Sequence, residues 1–189
     1  MPSTRQAARV VFLDRDTLPA DVELGDSTSR NELVEFGATS PADVGERIAA
    51  AEIVITNKVP IRREAIATAP NLRLVAIAAT GSDNVDIRAC AERGVAVSNI
   101  RDYAVNTVPE HTFALILALR RSVLAYRESV RGGRWQDAGR FCYFGYPIRD
   151  LAGSTLGVIG DGALGRSVAQ TGGRGALGPP SLNRRTLAR

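Results

Sequence analysis

Residues 151–165 read Leu-Ala-Gly-Ser-Thr-Leu-Gly-Val-Ile-Gly-Asp-Gly-Ala-Leu-Gly, an apolar run that enters a glycine turn and leaves it in helix-forming residues. The spacing of Gly160, Gly162 and Gly165 is that of a dinucleotide-binding turn. Gly160 permits the tight strand-to-helix turn, and Gly162 leaves room for a pyrophosphate against bare backbone. Gly165 lets the helix pack closely on its strand, so that amides of the helix start face the phosphate charge. In a chain with 18 glycines the pattern alone is weak. Context strengthens it, because a strand is expected at 155–159 and a helix at 163–170. Such a unit also calls for a second strand and an acidic residue about 20 positions on. After Asp161 the sequence contains neither Asp nor Glu.

Two further places could do chemistry. Lys58 is the sole lysine beside 23 arginines and follows a β-rich run in Asn57-Lys58-Val59. Thr80-Gly81-Ser82 follows the apolar run at 72–79. In parallel sheets ligands lie beyond the carboxyl ends of strands, where both places fall. Lys58 reads equally as a solvated surface lysine. Thr80-Gly81-Ser82 is either a plain turn or a nest of consecutive amides that receives a carboxylate. His111 is the only histidine. It sits in the first turn of a helix, where the dipole disfavours imidazolium, so a structural role is expected. Cys90 and Cys142 lack metal-ligand spacing and read as buried free thiols, and no metal site is expected.

The elements that must position these residues alternate. Strands are predicted at 8–13, 32–36, 52–56, 72–79 and 95–97, with helices between them. Ser40-Pro41-Ala42-Asp43 reads as the capped start of a helix to about Ala51. The pattern implies an α/β fold with a flavodoxin-like or Rossmann-like parallel sheet and helices on both faces. Thr107-Val108-Pro109-Glu110 reads as a capping box opening one helix of some 23 residues, through His111, Leu115, Leu119 and Val123 to about Arg131. Its middle is apolar almost all round, which predicts burial between domains or in a subunit interface. Residues 132–150 form a connection rich in aromatics, expected to pack rather than to stack on a ligand. From Thr171 no period persists and Gly, Pro and Arg crowd the chain, so 171–189 is expected to be disordered, with the composition of a GC-rich gene read out of frame.

Composition excludes several classes. With 44% hydrophobic and 23% charged residues in 189, the chain reads as a soluble globular protein of one to two domains. It has no apolar run of membrane-spanning length and no apolar signal core, so no membrane role and a cytoplasmic location are expected. The net charge of +4 arises from five arginines after Gly165, since residues 1–161 hold 19 Lys+Arg against 20 Asp+Glu. A nucleic-acid binder places its basic residues on a folded face with aromatics, which this distribution does not provide.

Four stretches together resemble one family: Ile55-Thr56-Asn57-Lys58-Val59-Pro60, Ala79-Thr80-Gly81-Ser82-Asp83-Asn84-Val85-Asp86, Asn106-Thr107-Val108-Pro109-Glu110-His111-Thr112, and Phe141-Cys142 through Gly165. The chain resembles the D-isomer-specific 2-hydroxyacid dehydrogenases, most closely their glycerate dehydrogenase (hydroxypyruvate reductase) branch. The resemblance implies an outer substrate-binding domain over 1–100, the incomplete start of a Rossmann NAD(P)-binding domain over 101–170, and a tail over 171–189. It assigns substrate contacts to Thr80 and Gly81, and to Lys58. It assigns cofactor contacts to Thr107, Gly160, Gly162, Ala163, Leu164 and Gly165. It further implies NAD or NADP as cofactor, hydroxypyruvate or glyoxylate and their hydroxy acids as substrates, and a homodimer. No residue matches the family's catalytic Arg, Glu and His. The expectation is therefore a chain truncated or frameshifted after about Gln170 and inactive alone, its strand at 155–159 left with a bare hydrophobic edge. The alternative is a non-catalytic dimerisation or interaction module.

Overall fold

The structure is a computed structural model that describes residues 7–22, 24, 31–174 and 181–183. The chain divides into two compact units, Met1–Arg101 and Asp102–Arg189.

The N-terminal unit is built on short β-branched and apolar runs that extend readily. These are β1 (Arg9–Phe12), β2 (Glu32–Glu35), β3 (Ile53–Thr56), β4 (Leu74–Ile77) and β5 (Ala96–Asn99). They form one parallel sheet in the order β2-β1-β3-β4-β5, the flavodoxin-like order. Between them lie α1 (Val44–Ile48), α2 (Arg63–Thr68) and α3 (Ile87–Glu92). Register aligns Val11 with Val54, Val54 with Val75, and Val75 with Val97, so these valines form a lateral row on one face. Val44 and Ile48 of α1, Ile66 of α2, and Ala89 and Cys90 of α3 join the core of that same face.

Helices on both faces were expected; among the described residues the three α-helices lie on one face. The crossovers β2 to β3, β3 to β4 and β4 to β5 all advance in one direction, and right-handed crossovers then put all three helices on one side. Only β1 to β2 runs the other way, and its described part holds a 3-10 turn, Arg15–Thr17. On the opposite face Phe12 is buried, while Ile53, Ile55, Leu74 and Ala76 are half-buried.

α1 begins three residues later than its apparent cap. Ser40 Oγ donates to the Asp43 carboxylate at 2.8 Å, so neither side chain caps the helix, and 41–43 forms a turn. α3 does start on a working cap: the Asp86 side chain accepts the Ala89 N–H at 2.8 Å.

The C-terminal unit holds α4 (Thr107–Arg120), α5 (Val123–Arg131), α6 (Arg134–Asp137), β6 (Gly157–Ile159), α7 (Ala163–Arg174) and β7 (Ser181–Asn183). The single long helix of the sequence reading is two helices, broken at Ser122, whose φ is +48°. The break is held from a distance. Ser122 Oγ donates to the Pro147 carbonyl at 2.6 Å, and the Arg149 N–H donates to the Arg120 carbonyl at 2.8 Å. The aromatic connection packs through its tyrosines. Tyr126 lies 5.2 Å from Tyr146 and 5.6 Å from Tyr143, and its hydroxyl donates to the Tyr146 carbonyl. Phe141 and Phe144 remain exposed.

The expectation of disorder from Thr171 is corrected where residues are described. α7 continues to Arg174, with Thr171 Oγ1 donating to the Ser167 carbonyl and Gly172 buried. β7 pairs in parallel with β6, Val158 opposite Leu182, so β6 does not stand alone. The rest of 175–189 lies outside the described residues.

Candidate functional site

Each unit gathers part of the chemistry. In the N-terminal unit the relevant end is the carboxyl end of β1, β3 and β4, beside the point where strand order reverses. β3 delivers Asn57, Lys58 and Val59 there, and β4 delivers Thr80, Gly81 and Ser82. The two loops are stitched together. Asn84 Nδ2 donates to the carbonyls of Asn57 and Val59, the Ile61 N–H donates to the Asn84 carbonyl at 2.8 Å, and the Asp86 N–H donates to the Ile61 carbonyl at 2.9 Å. Lys58 is exposed and, among the described residues, has no carboxylate partner.

Thr80 is fixed by its side chain and carbonyl: Oγ1 donates to the Ile100 carbonyl at 2.8 Å, and Asn99 Nδ2 donates to the Thr80 carbonyl at 2.7 Å. The N–H groups of Thr80, Gly81 and Ser82 make no hydrogen bond among the described residues. Three consecutive amides unclaimed among the described residues, in a loop hydrogen-bonded to the one that carries Lys58, can receive a carboxylate. A Cβ on Gly81 would lie 3.2 Å from Asp83 Oδ1, so a side chain there would press on that carboxylate.

In the C-terminal unit β6 enters the turn through Gly160 at φ +108°, a conformation that side chains other than glycine strain to adopt. α7 then starts at Ala163. A Cβ on Gly165 would sit 2.1 Å from the Gly160 carbonyl oxygen, so only glycine allows α7 to approach β6 this closely. Around Gly162 a Cβ would meet nothing within 4 Å, leaving open space over the backbone. The N–H groups of Ala163, Leu164 and Gly165 make no hydrogen bond among the described residues. The turn thus fits the pyrophosphate of a dinucleotide. Thr107 is the exposed first residue of α4 and caps no helix N–H, so its reading as a capping residue is corrected; Val108 N–H and Glu110 N–H already bond the carbonyls of Ala104 and Asn106. Ser167 Oγ of α7 donates to the Val105 carbonyl, which brings the start of α4 against α7.

His111 is exposed and is the fifth residue of α4, just past its first turn. Among the described residues no group of three or more His, Cys, Asp or Glu could hold a metal ion, and no helix is long and apolar enough to cross a membrane. Burial pushes the Cys90 thiol up from its ordinary value, with the Asp86 charge adding to it. Sequence reasoning missed Asp14 and Asn84, the side chains that hold the Lys58 loop. The signal available for Asp14 was a carboxylate placed directly after an apolar strand, in Leu13-Asp14-Arg15-Asp16.

The family model for the D-isomer specific 2-hydroxyacid dehydrogenase, catalytic domain, matches residues 10–174. The chain is 50% identical over 163 residues to a glycerate dehydrogenase of Methylorubrum extorquens, covering 86% of this chain and 51% of that one. It is 33% identical over 166 residues to a hydroxypyruvate reductase of Blautia hydrogenotrophica, covering 86% and 52%. The fold matches the crystal structure of an NADPH-dependent glyoxylate/hydroxypyruvate reductase from Sinorhizobium meliloti with a TM-score of 0.74 at 22% identity, over 97% of this chain and 55% of that one. The chain spans about half the length of the curated relatives it matches. It belongs to the D-isomer-specific 2-hydroxyacid dehydrogenase family.

Proposed function

We propose that this chain carries the substrate-binding domain, over 1–100, and the phosphate-binding start of the nucleotide domain, over 101–170, of an NAD(P)-dependent cytoplasmic dehydrogenase. Its reaction interconverts hydroxypyruvate and glycerate, or glyoxylate and glycolate. One observation carries the reading: the unclaimed amides of Thr80, Gly81 and Ser82 lie in a loop stitched to the one that bears the unpaired Lys58. That arrangement suits a small acid whose carboxylate takes the amides and whose charge is balanced by the ammonium. The names of the relatives in glycerate, hydroxypyruvate and glyoxylate chemistry support the same substrate class.

Gly160, Gly162, Ala163, Leu164 and Gly165 would hold the pyrophosphate of NAD or NADP, with Thr107 beside them. When bound, the nicotinamide supplies or accepts the hydride. This chain's own residues bind and orient the acid. The family's catalytic Arg, Glu and His have no counterpart among these 189 residues, so this chain is proposed to bind the acid without reducing it. The exposed leucines of α4 and α5 favour a dimer through that face, and they also keep open a non-catalytic role as a dimerisation module.

The test is the purified 189-residue chain with hydroxypyruvate and NADH or NADPH. Saturable acid binding without oxidation of the nicotinamide is expected. Turnover would overturn the assignment of roles, and absence of acid binding in the N-terminal unit would overturn the substrate reading.

A further inference from the structure

Asp14 follows β1 at the point where strand order reverses, and its side chain is buried, 4% exposed. A buried carboxylate is costly unless polar groups meet it. Among the described residues no cation pairs with Asp14. Instead its oxygens accept three successive backbone amides: Asn57 at 2.9 and 3.1 Å, Lys58 at 2.6 Å and Val59 at 3.3 Å. Three neighbouring N–H groups converge on one carboxylate only if the backbone curls around it. The outer side of that curl is also held, since Asn84 Nδ2 donates at 3.4 Å to the carbonyls of Asn57 and Val59, and Thr56 Oγ1 donates to the Val59 carbonyl at 3.1 Å.

The residue at the middle of the curl is Lys58. A lysine side chain loses much rotamer freedom on binding, so a site that uses one gains most when the backbone beneath it is already ordered. Asn84 lies in the loop that begins with Thr80, Gly81 and Ser82, so the same contact registers the free amides against the lysine.

We propose that Asp14 is a positioning residue: its buried carboxylate, by gathering the amides of Asn57, Lys58 and Val59, fixes the loop that presents Lys58, and Asn84 locks that loop to the amides of Thr80–Ser82. The role rests on the reading of Lys58 and Gly81 as the carboxylate site of the substrate.

The test follows amide spectra and hydrogen exchange of the whole 189-residue chain during titration with hydroxypyruvate, for Asp14→Asn, Asn84→Ala, Lys58→Met and the core variant Ile48→Val. Asp14→Asn is expected to speed exchange of the Lys58 and Val59 amides roughly ten- to a hundredfold, and to weaken hydroxypyruvate binding about tenfold. Lys58→Met weakens binding without loosening the loop. Ile48→Val lowers the melting temperature and leaves affinity unchanged, which separates positioning from general stability. Asn84→Ala buries no new charge and weakens binding severalfold, so it carries the test where Asp14→Asn does not fold.

Wild-type affinity in folded Asp14→Asn or Asn84→Ala, alongside weak binding by Lys58→Met, overturns the positioning role alone. Wild-type affinity in Lys58→Met, or no saturable shift at Thr80, Gly81 and Ser82 in the wild-type chain, overturns the substrate reading and the positioning role with it.

Discussion

Phe12, Ile48, Ile66 and Val75 of the N-terminal unit are sealed from solvent, whereas Leu119, Phe144 and Ile159 of the C-terminal unit are 77%, 92% and 83% exposed. Apart from Pro109, the one large side chain there that is fully buried, Ala169 alone represents the C-terminal unit among the described buried apolar residues. The difference follows from topology. Five parallel strands with three same-handed crossovers generate a complete helix layer over one face, and each buried Ile or Val contributes about 1.5–3 kcal/mol. The two strands and four helices described in the C-terminal unit, whose connection spends its contacts on a tyrosine cluster, do not enclose a comparable core. The candidate site follows the same division: the loops proposed to bind the acid stand on a closed scaffold, and the glycine turn stands on elements whose apolar faces call for cover.

The two cysteines report this contrast, and they should give the largest effect. Cys90 is buried in the N-terminal core with its thiol pushed up by burial, while Cys142 is half-buried in the C-terminal unit. A thiol reagent at neutral pH should modify Cys142 first, with Cys90 slower on the order of a thousandfold or more, because it waits for opening of the core. Equal rates would erase the distinction between the units.

Ile66→Ala comes next. It empties a sealed site beneath α2 and should cost about 2–5 kcal/mol, read by denaturant unfolding of the N-terminal unit. Gly165→Ala should act only in the other unit. Its Cβ meets the Gly160 carbonyl backbone at 2.1 Å, so α7 must shift, at roughly 1–3 kcal/mol of local strain. NADH binding should be lost while the melting of the N-terminal unit stays put. Leu119→Ser should leave monomer stability within about 0.5 kcal/mol, and sedimentation should show weaker self-association; unchanged association would remove α4 from the dimer face.

The smallest effect is electrostatic. Hydrogen bonds from Arg63 and then Arg88 hold the Glu92 carboxyl below its ordinary value, at 2.6 and 3.0 Å. A carboxylate whose folded value is lowered stabilises the fold above its unfolded value, and that contribution fades as pH falls through the folded one. Glu92→Gln should therefore lower the melting temperature slightly at neutral pH and not at all in strong acid. The group is exposed, so salt should shrink the difference further.

What could be read from sequence divides along the same line. Alternating β-rich runs and helices reveal β1 to β5, because each strand is bounded by local turn chemistry such as Asp86 capping α3. The break at Ser122 carries no Gly or Pro and is imposed by Pro147 and Arg149, some 25 residues away, so a local reading runs straight through it. β7 is Ser-Leu-Asn, whose strand character comes from its partner β6. At the site, Gly160 and Gly165 announce themselves by spacing, and Lys58 by being the only lysine. Asp14 does not, because a single carboxylate after a strand acquires its role only when β3 is laid beside β1.

The most direct measurement maps where each ligand touches the chain, by amide spectra of the 189 residues titrated separately with hydroxypyruvate and with NADH. The acid should shift Lys58, Thr80, Gly81 and Ser82, and the dinucleotide should shift Gly160 to Gly165 and Thr107. Acid-induced shifts confined to the C-terminal unit, or shifts from neither ligand at these residues, would contradict this assignment.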